Sequence, residues 1–244
     1  MKGNAYSALA PHYEKLVSNC DYEQWSQYLF EKLNLYAKGK VGCDCACGSG
    51  YFTRFLKKSG YDVYGVDSSD SMLTQAKRLA VEEQTPVNFI LQDVKKFKSF
   101  KKLDFITVIN DGLNYLDQKG VASALKSFYT ALKKDGVLLF DVSSEYKLKE
   151  VVGNNLFGED TDDVTYMWFN ECDGKSVKMD LTFFVRQGET YLRQDESHVQ
   201  YIHGKDQLVE SLEKVGFEVV EVTGLYGEPL KDDSQRIHFI AIKR

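Results

Sequence analysis

A repeated pairing of an apolar run with an amphipathic helical stretch constrains this chain more than any other feature. Val41-Gly-Cys-Asp-Cys45, Tyr61-Asp-Val-Tyr-Gly-Val-Asp67, Val87-Asn-Phe-Ile-Leu91, Leu103-Asp-Phe-Ile-Thr-Val-Ile-Asn110 and Val137-Leu-Leu-Phe-Asp-Val142 read as strands. The near-continuous apolarity of residues 103–110 is what a strand covered on both faces requires. Strand followed by helix, repeated, is the rhythm of a doubly wound α/β fold with a mostly parallel sheet. In such a sheet ligands bind beyond the carboxyl ends of the strands, so chemistry is sought at the strand tips.

The first tip is Val41-Gly-Cys-Asp-Cys-Ala-Cys-Gly-Ser-Gly50, and a helix carrying Phe52, Phe55 and Leu56 on one face follows it at once. Gly48 and Gly50 permit positive φ and let backbone N–H groups approach a ligand, and the helix dipole adds to them. A dinucleotide site is the first reading, but the G-x-G-x-x-G fingerprint needs a small residue where Thr53 stands. What remains is Asp44-x-x-x-Gly48-x-Gly50 with a second acid, Asp67, closing the next strand. An acid at that tip is placed to accept both hydroxyls of a ribose. The expected ligand therefore has a ribose and no pyrophosphate.

At these residues the chain resembles the class I S-adenosylmethionine-dependent methyltransferases. Asp44, Cys47, Gly48, Ser49 and Gly50 match their first motif, while Ala46 stands in place of its first glycine and Cys45 in place of an aliphatic residue. The methyl group of Ala46 would press on a cofactor lying across the loop. Val66, Asp67, Ser69, Met72, Leu73 and Ala76 match the second motif, and Tyr6, Ala10, Tyr13 and Leu16 match an N-terminal aromatic flap, with Glu14 where Asp is usual. The resemblance implies S-adenosyl-L-methionine as cofactor, with Tyr13, Asp44, Ala46, Cys47, Gly48, Gly50, Asp67 and Ser68 around it. It implies that Met72 packs against the adenine, that Asp93 and Val94, after Gln92, bind that ring's edge, and that Asn110 and Asp111 lie near the methionine part. Asn114 and Tyr115 are implied on the substrate side, although Asn114 is read equally well as part of a polar turn before the next helix. The fold so implied is Rossmann-like, with a mostly parallel seven-stranded sheet, an antiparallel last strand pair and a small antiparallel β insertion.

The insertion is also legible from the residues, because the strand–helix rhythm breaks after Val142. Three strand-like runs, Val164–Phe169, Val177–Val185 and Tyr191–Tyr201, follow with hairpin turns at Asp173-Gly174 and Gln187-Gly188. A helix from Gly204 to Gly216 and two alternating strands, Phe217–Val222 and Arg236–Ile242, close the chain. The expected organisation is an N-terminal helical flap over 1–40, a cofactor-binding core over 41–146 and 202–244, and the insertion over 147–201 as substrate platform or lid. Asp180, Arg193, Glu196 and His198 on the insertion read as catalytic or as the polar face of a sheet, and Arg236 starts a strand that points to the cleft.

The 244 residues carry a net charge of −5, which disfavours nucleic acid as a partner despite the lysine-rich stretch at 95–102. No run approaches the roughly 18 apolar residues of a membrane span, and the first residues lack the core of a signal peptide, so a soluble cytoplasmic protein is expected. Cys43, Cys45 and Cys47 alternate on one strand about 6.5 Å apart, with no matching cluster nearby, so no metal is expected. The expected reaction is methyl transfer to a nitrogen or oxygen of a small-molecule acceptor. The sulfonium already activates the methyl group, so alignment and exclusion of water are the protein's main tasks. Tyr13, Asp111, Asn114 and His198 are the catalytic candidates, with Tyr13, Asp111 or His198 as a base that keeps an amine unprotonated. The alternatives are a non-catalytic adenosine-ligand-binding regulator of the same fold or an RNA or protein methyltransferase; a nicotinamide enzyme is disfavoured by Thr53.

Overall fold

The computed structural model describes Ala10 and residues 21–244; the expectations placed on Tyr6, Tyr13 and Leu16 lie outside the described residues. Helix α1 (Tyr22–Tyr36) starts at Asp21, whose side chain accepts from Gln24 N at 2.9 Å, and buries Trp25, Tyr28, Leu29 and Leu33. Then come β1 (Val41–Cys45), α2 (Tyr51–Lys58), β2 (Asp62–Asp67), α3 (Asp70–Glu82), β3 (Phe89–Leu91), β4 (Leu103–Val108), α4 (Gln118–Ala131) and β5 (Leu132–Ser143). The insertion holds β6 (Leu156–Asp160), β7 (Val164–Cys172), β8 (Ser176–Gln187) and β9 (Thr190–Tyr201), and the chain closes with α5 (Lys205–Val215), β10 (Phe217–Thr223) and β11 (Arg236–Lys243).

The main sheet has seven strands in the order β10-β11-β5-β4-β1-β2-β3. Every pairing among β1 to β5 is parallel, and β11 runs antiparallel to both β5 and β10. Alternation along each strand sends side chains to two cores. Phe105, Val137, Leu139, Ile240 and Ile242 pack against Trp25, Leu29 and Leu33 of α1 and Phe52 and Leu56 of α2. On the opposite face Ile106, Val108, Leu138, Phe140 and Phe239 pack against α4 and α5. Cys43 and Cys45 belong to this second core, their sulfurs 3.6 Å apart and both buried. They fill space as small apolar groups.

Helix α4 stops at Ala131, because Leu132 already pairs with Leu103 of β4 before Asp135 takes a positive φ of 62°. The fold is the Rossmann-like sheet read from the sequence, with one local difference. The insertion has four strands rather than three, in the order β6-β7-β8-β9. Strand β6 escapes sequence reading because it is an edge: no residue in it is buried, so no alternation is imposed on its side chains. Gly174 and Gly188 take φ of 82° and 63° in the turns placed at those positions. Strand β9 abuts the main sheet where Asn114 Nδ2 donates to the carbonyls of Tyr201 (3.0 Å) and Ser143 (3.3 Å), while its Oδ1 accepts from Ser143 N at 2.9 Å.

Candidate active site

The loop after β1 is built to bring backbone to a ligand. Ala46, Gly48 and Gly50 take φ of 53°, 55° and 78°, a left-handed series that curls the chain over the tip of β1 into α2. Asp44 lies under this loop, 1% exposed, and accepts from the hydroxyls of Thr53 at 2.6 Å and Thr107 at 2.9 Å. Thr53 holds the place of the missing third glycine, and its hydroxyl ties the first turn of α2 to β1. Burial pushes the Asp44 carboxyl up to about 6 against the pull of these two hydroxyls. Buried Arg54 adds a second tie, donating to Ser49 O at 2.6 Å and pairing with Glu83 at 3.1 Å.

Beyond the loop the strand tips line a cavity of about 600 Å³. Asp67 ends β2 and accepts from Gly48 N at 2.9 Å and Ser69 N at 2.8 Å. Burial raises its carboxyl above the usual range, and the backbone donors of Ser69, Gly48 and Ser68 oppose that rise. Four acceptor positions serve two or three donors, which leaves capacity for a ribose hydroxyl. Ser69 caps α3, and Met72 in its first turn is buried with its thioether against the loop: a Cβ on Gly48 would lie 3.1 Å from Met72 Cε. Asp93 caps the short turn after β3 through Lys95 N at 2.9 Å, next to buried Val94. On the far side Asn110 and Asp111, both at positive φ (67° and 55°), turn the chain out of β4.

Ala46, Cys47, Gly48, Asp67, Ser68, Met72, Asp93, Val94 and Asn110 thus come together around one space, and Tyr115 joins them. Burial, with Asp44 and Asp67 nearby, raises the Cys47 thiol well above its ordinary value, so it faces the cavity as a neutral group. Asp44, Gly50, Gln92, Asp111, Asn114 and His198 are not in the lining. Gly50 is the N-cap of α2, with Phe89 where a Cβ would sit, and Gln92 Oε1 accepts from Lys98 N at 2.6 Å. Asn114 is fully buried, and the three hydrogen bonds described above engage both ends of its amide with Ser143 and Tyr201, while the helix that follows is capped by Asp117. Asp111 is turned toward Ser143 Oγ (2.8 Å) and Gln200 Nε2 (3.2 Å). His198 is on β9, buried with Glu196 (Nε2 to Oε2 3.1 Å), and its ring centroid is 6.1 Å from that of Tyr115.

Sequence reasoning missed the aromatic wall. Tyr22, Tyr51 and Phe52 line the cavity, with ring centroids 4.4 Å apart for Tyr22 and Tyr51 and 5.4 Å for Tyr51 and Phe52. On a helical wheel they are indistinguishable from core residues; position in the first turn after a ligand loop was the available signal for Tyr51 and Phe52, and Tyr22 carried none.

Comparison with known proteins decides among the readings of this cavity. A model described as a methyltransferase domain matches residues 43–136. A protein of Geobacillus sp. (strain WCH70) named as a candidate methyltransferase is 34% identical over 98% of this chain and 99% of its own. The crystal structure of an S-adenosylmethionine-dependent methyltransferase from Clostridium acetobutylicum ATCC 824 superposes with a TM-score of 0.90 at 30% identity, covering 98% and 99% of the two chains. The chain belongs to the class I S-adenosylmethionine-dependent methyltransferases. At the level of fold it also matches S-adenosylmethionine-bound CalS10, an amino pentose methyltransferase from Micromonospora echinaspora, with a TM-score of 0.76 at 13% identity over the full length of both.

The methyltransferase's cofactor is S-adenosyl-L-methionine, and the residues present fit it. Gly48 leaves a cradle under the Met72 thioether that a Cβ would fill, Asp67 keeps acceptor capacity beside it, and Asp93 with Val94 closes the end at β3. The acids at these tips also suit a ligand that carries positive charge.

Proposed function

We propose that this methyltransferase moves a methyl group to a nitrogen or oxygen of a small molecule that enters between Tyr115 and the inner face of the insertion, an amine being the favoured acceptor. One observation carries the reading: the ring of Tyr115, which lines the cofactor cavity, meets the His198 ring edge-on, and His198 is paired with a Glu196 as buried as the histidine itself. A buried imidazole held by a carboxylate beside the cofactor space is a geometry for proton removal. S-adenosyl-L-methionine supplies a methyl already activated by its sulfonium. The acceptor's lone pair forms the new bond to that carbon, the carbon–sulfur electrons pass to sulfur, and S-adenosylhomocysteine leaves.

In this reading Tyr115 and the aromatic wall align the acceptor and exclude water. His198, with its Nε2–H given to Glu196, takes the acceptor's proton on Nδ1. Asp111 and Glu196 place negative charge on the acceptor side, which suits an ammonium that sheds its proton on docking. The proposed organisation is the one read from the sequence, flap over 1–40, core over 41–146 and 202–244, and the insertion at 147–201 as acceptor platform, except that α1 within the first segment is packed into the core, in a cytoplasmic protein acting on metabolites. The amino sugar substrate named for CalS10 makes amino sugars the first acceptors to screen. Among the described residues no helix is long and apolar enough to cross a membrane.

The experiment supplies methyl-labelled S-adenosylmethionine to the protein with metabolite, RNA and protein fractions of a cell extract. Label is expected in the metabolite fraction, and His198→Asn is expected to lower the transfer by about 10²-fold with S-adenosylhomocysteine binding intact. Label confined to RNA or protein, or full transfer by the variant, would sink the proposal.

A further inference from the structure

The turn out of β4 is held in place by a buried ion pair that no part of the cofactor cavity contains. Asn110 and Asp111 both adopt left-handed backbone angles, an arrangement that persists only where its surroundings fix it. Here their two successive N–H groups converge on one carboxylate: Asn110 N donates to Asp141 Oδ1 at 2.7 Å and Asp111 N to Asp141 Oδ2 at 3.0 Å. Asp141 is fully buried near the end of β5 and pairs with Arg236 Nη1 at the start of β11. The same guanidinium donates through Nη2 to Asn110 Oδ1 at 3.3 Å, stands 4.0 Å from Asp111 Oδ1 and lies over the Trp25 ring, 4.6 Å from its centroid. One planar fork therefore spans α1, β4, β5 and β11, a task for which a lysine's point charge is unsuited.

Sheet order says which part of the cofactor this junction governs. Going from β4 through β1 and β2 to β3, the tips present Asn110, the Ala46–Gly48 loop, Asp67 and Asp93 to one cavity. Three strand spacings separate its two ends, about 14 Å. Acids suited to ribose and adenine stand at β2 and β3, so the β4 end is left for the amino-acid part. We infer that Asp141 and Arg236 are positioning residues that fix the Asn110–Asp111 turn and so set the affinity of the methionine end of the cofactor site, leaving the adenosine end unaffected.

Two ligands that differ only at that end make the test. S-adenosylhomocysteine carries the amino and carboxylate groups, and 5′-methylthioadenosine lacks them. Their Kd values are measured by calorimetry for the natural chain, Arg236→Lys and Asp141→Asn, each at a temperature at which circular dichroism shows it folded. The expected result is a rise of tenfold or more in Kd for S-adenosylhomocysteine in both variants, with 5′-methylthioadenosine changed less than twofold. Ile240→Val, which trims the same strand and face without touching the pair, is expected to leave both Kd values within twofold. Parallel weakening of both ligands would reduce the pair to a general structural element and overturn the inference, as would unchanged binding of both. If one variant does not fold, the other carries the same comparison.

Discussion

Ala46 shows how one extra methyl group is absorbed where the family pattern has glycine. Its φ of 53° is one that alanine adopts at a cost of about 1–2 kcal/mol. Its methyl group points at Gly112, where an added Cβ would come within 2.8 Å of it and 3.0 Å of Val108 Cγ1. The room for Ala46 is therefore provided by a glycine 66 positions away, on the turn that follows Asp111. This makes the two positions dependent on each other. Gly112→Ala alone is expected to destabilise the protein by about 1–3 kcal/mol through overpacking. In an Ala46→Gly background the same change is expected to cost at least about 1 kcal/mol less, a coupling typical of touching residues. Urea denaturation of the four members of the cycle measures it, and additive effects would mean that the Ala46 methyl group lies elsewhere.

Between elements, the amide of Asn114 ties the main sheet to the insertion, beside the Gln200–Asp111 hydrogen bond. Asn114 uses both ends of its side chain to satisfy backbone groups of Ser143 on β5 and Tyr201 on β9, with Asn114 and Ser143 fully buried. Asn114→Ala leaves those groups buried and unpaired and is expected to cost about 2–4 kcal/mol. Its signature is selective: limited proteolysis should cut within residues 147–201 before the main sheet opens, and simultaneous loss of both would show that the amide does not join them. This role was only half legible in the sequence, because a polar residue at a strand tip of an α/β sheet suits a ligand and a turn equally well. The sheet itself was legible: the apolar runs announce the strands, and Asp67, Asp93 and Asn110 at or just past their ends mark tips that face the cavity, while Asp44 lies beneath the loop. Strand β6 was not, since an exposed edge imposes no pattern, and neither was the wall of Tyr22, Tyr51 and Phe52, since helix aromatics read as core. Asp141 and Arg236 were hidden for another reason. Their meaning lies in a contact across 95 residues, and nothing local in either strand points to it.

For the whole molecule, the proposed function separates a cofactor side from an acceptor side along one edge of the sheet. In that proposal the tips of β1 to β4 hold the first, while β9 brings Gln200, His198 and Glu196 to the second. The outer face of the insertion, with Met167 and Phe169 exposed, belongs to neither. Ligand binding should therefore tighten the chain unevenly. At a hundredfold excess over Kd a ligand that binds only the folded state adds about 2.7 kcal/mol, enough to raise the Tm of a chain this size by roughly 5–10 °C. Local openings that expose the cavity are suppressed by the same linkage, whereas openings elsewhere are not. With S-adenosylhomocysteine, hydrogen exchange is expected to slow at residues 46–49, 67–72, 93–95 and 110–116, and to stay unchanged across β6 and the outer half of β7. Slowing spread evenly over the insertion would mean that cofactor alone closes the acceptor side, and slowing absent at 110–116 would mean that the β4 tip takes no part in binding.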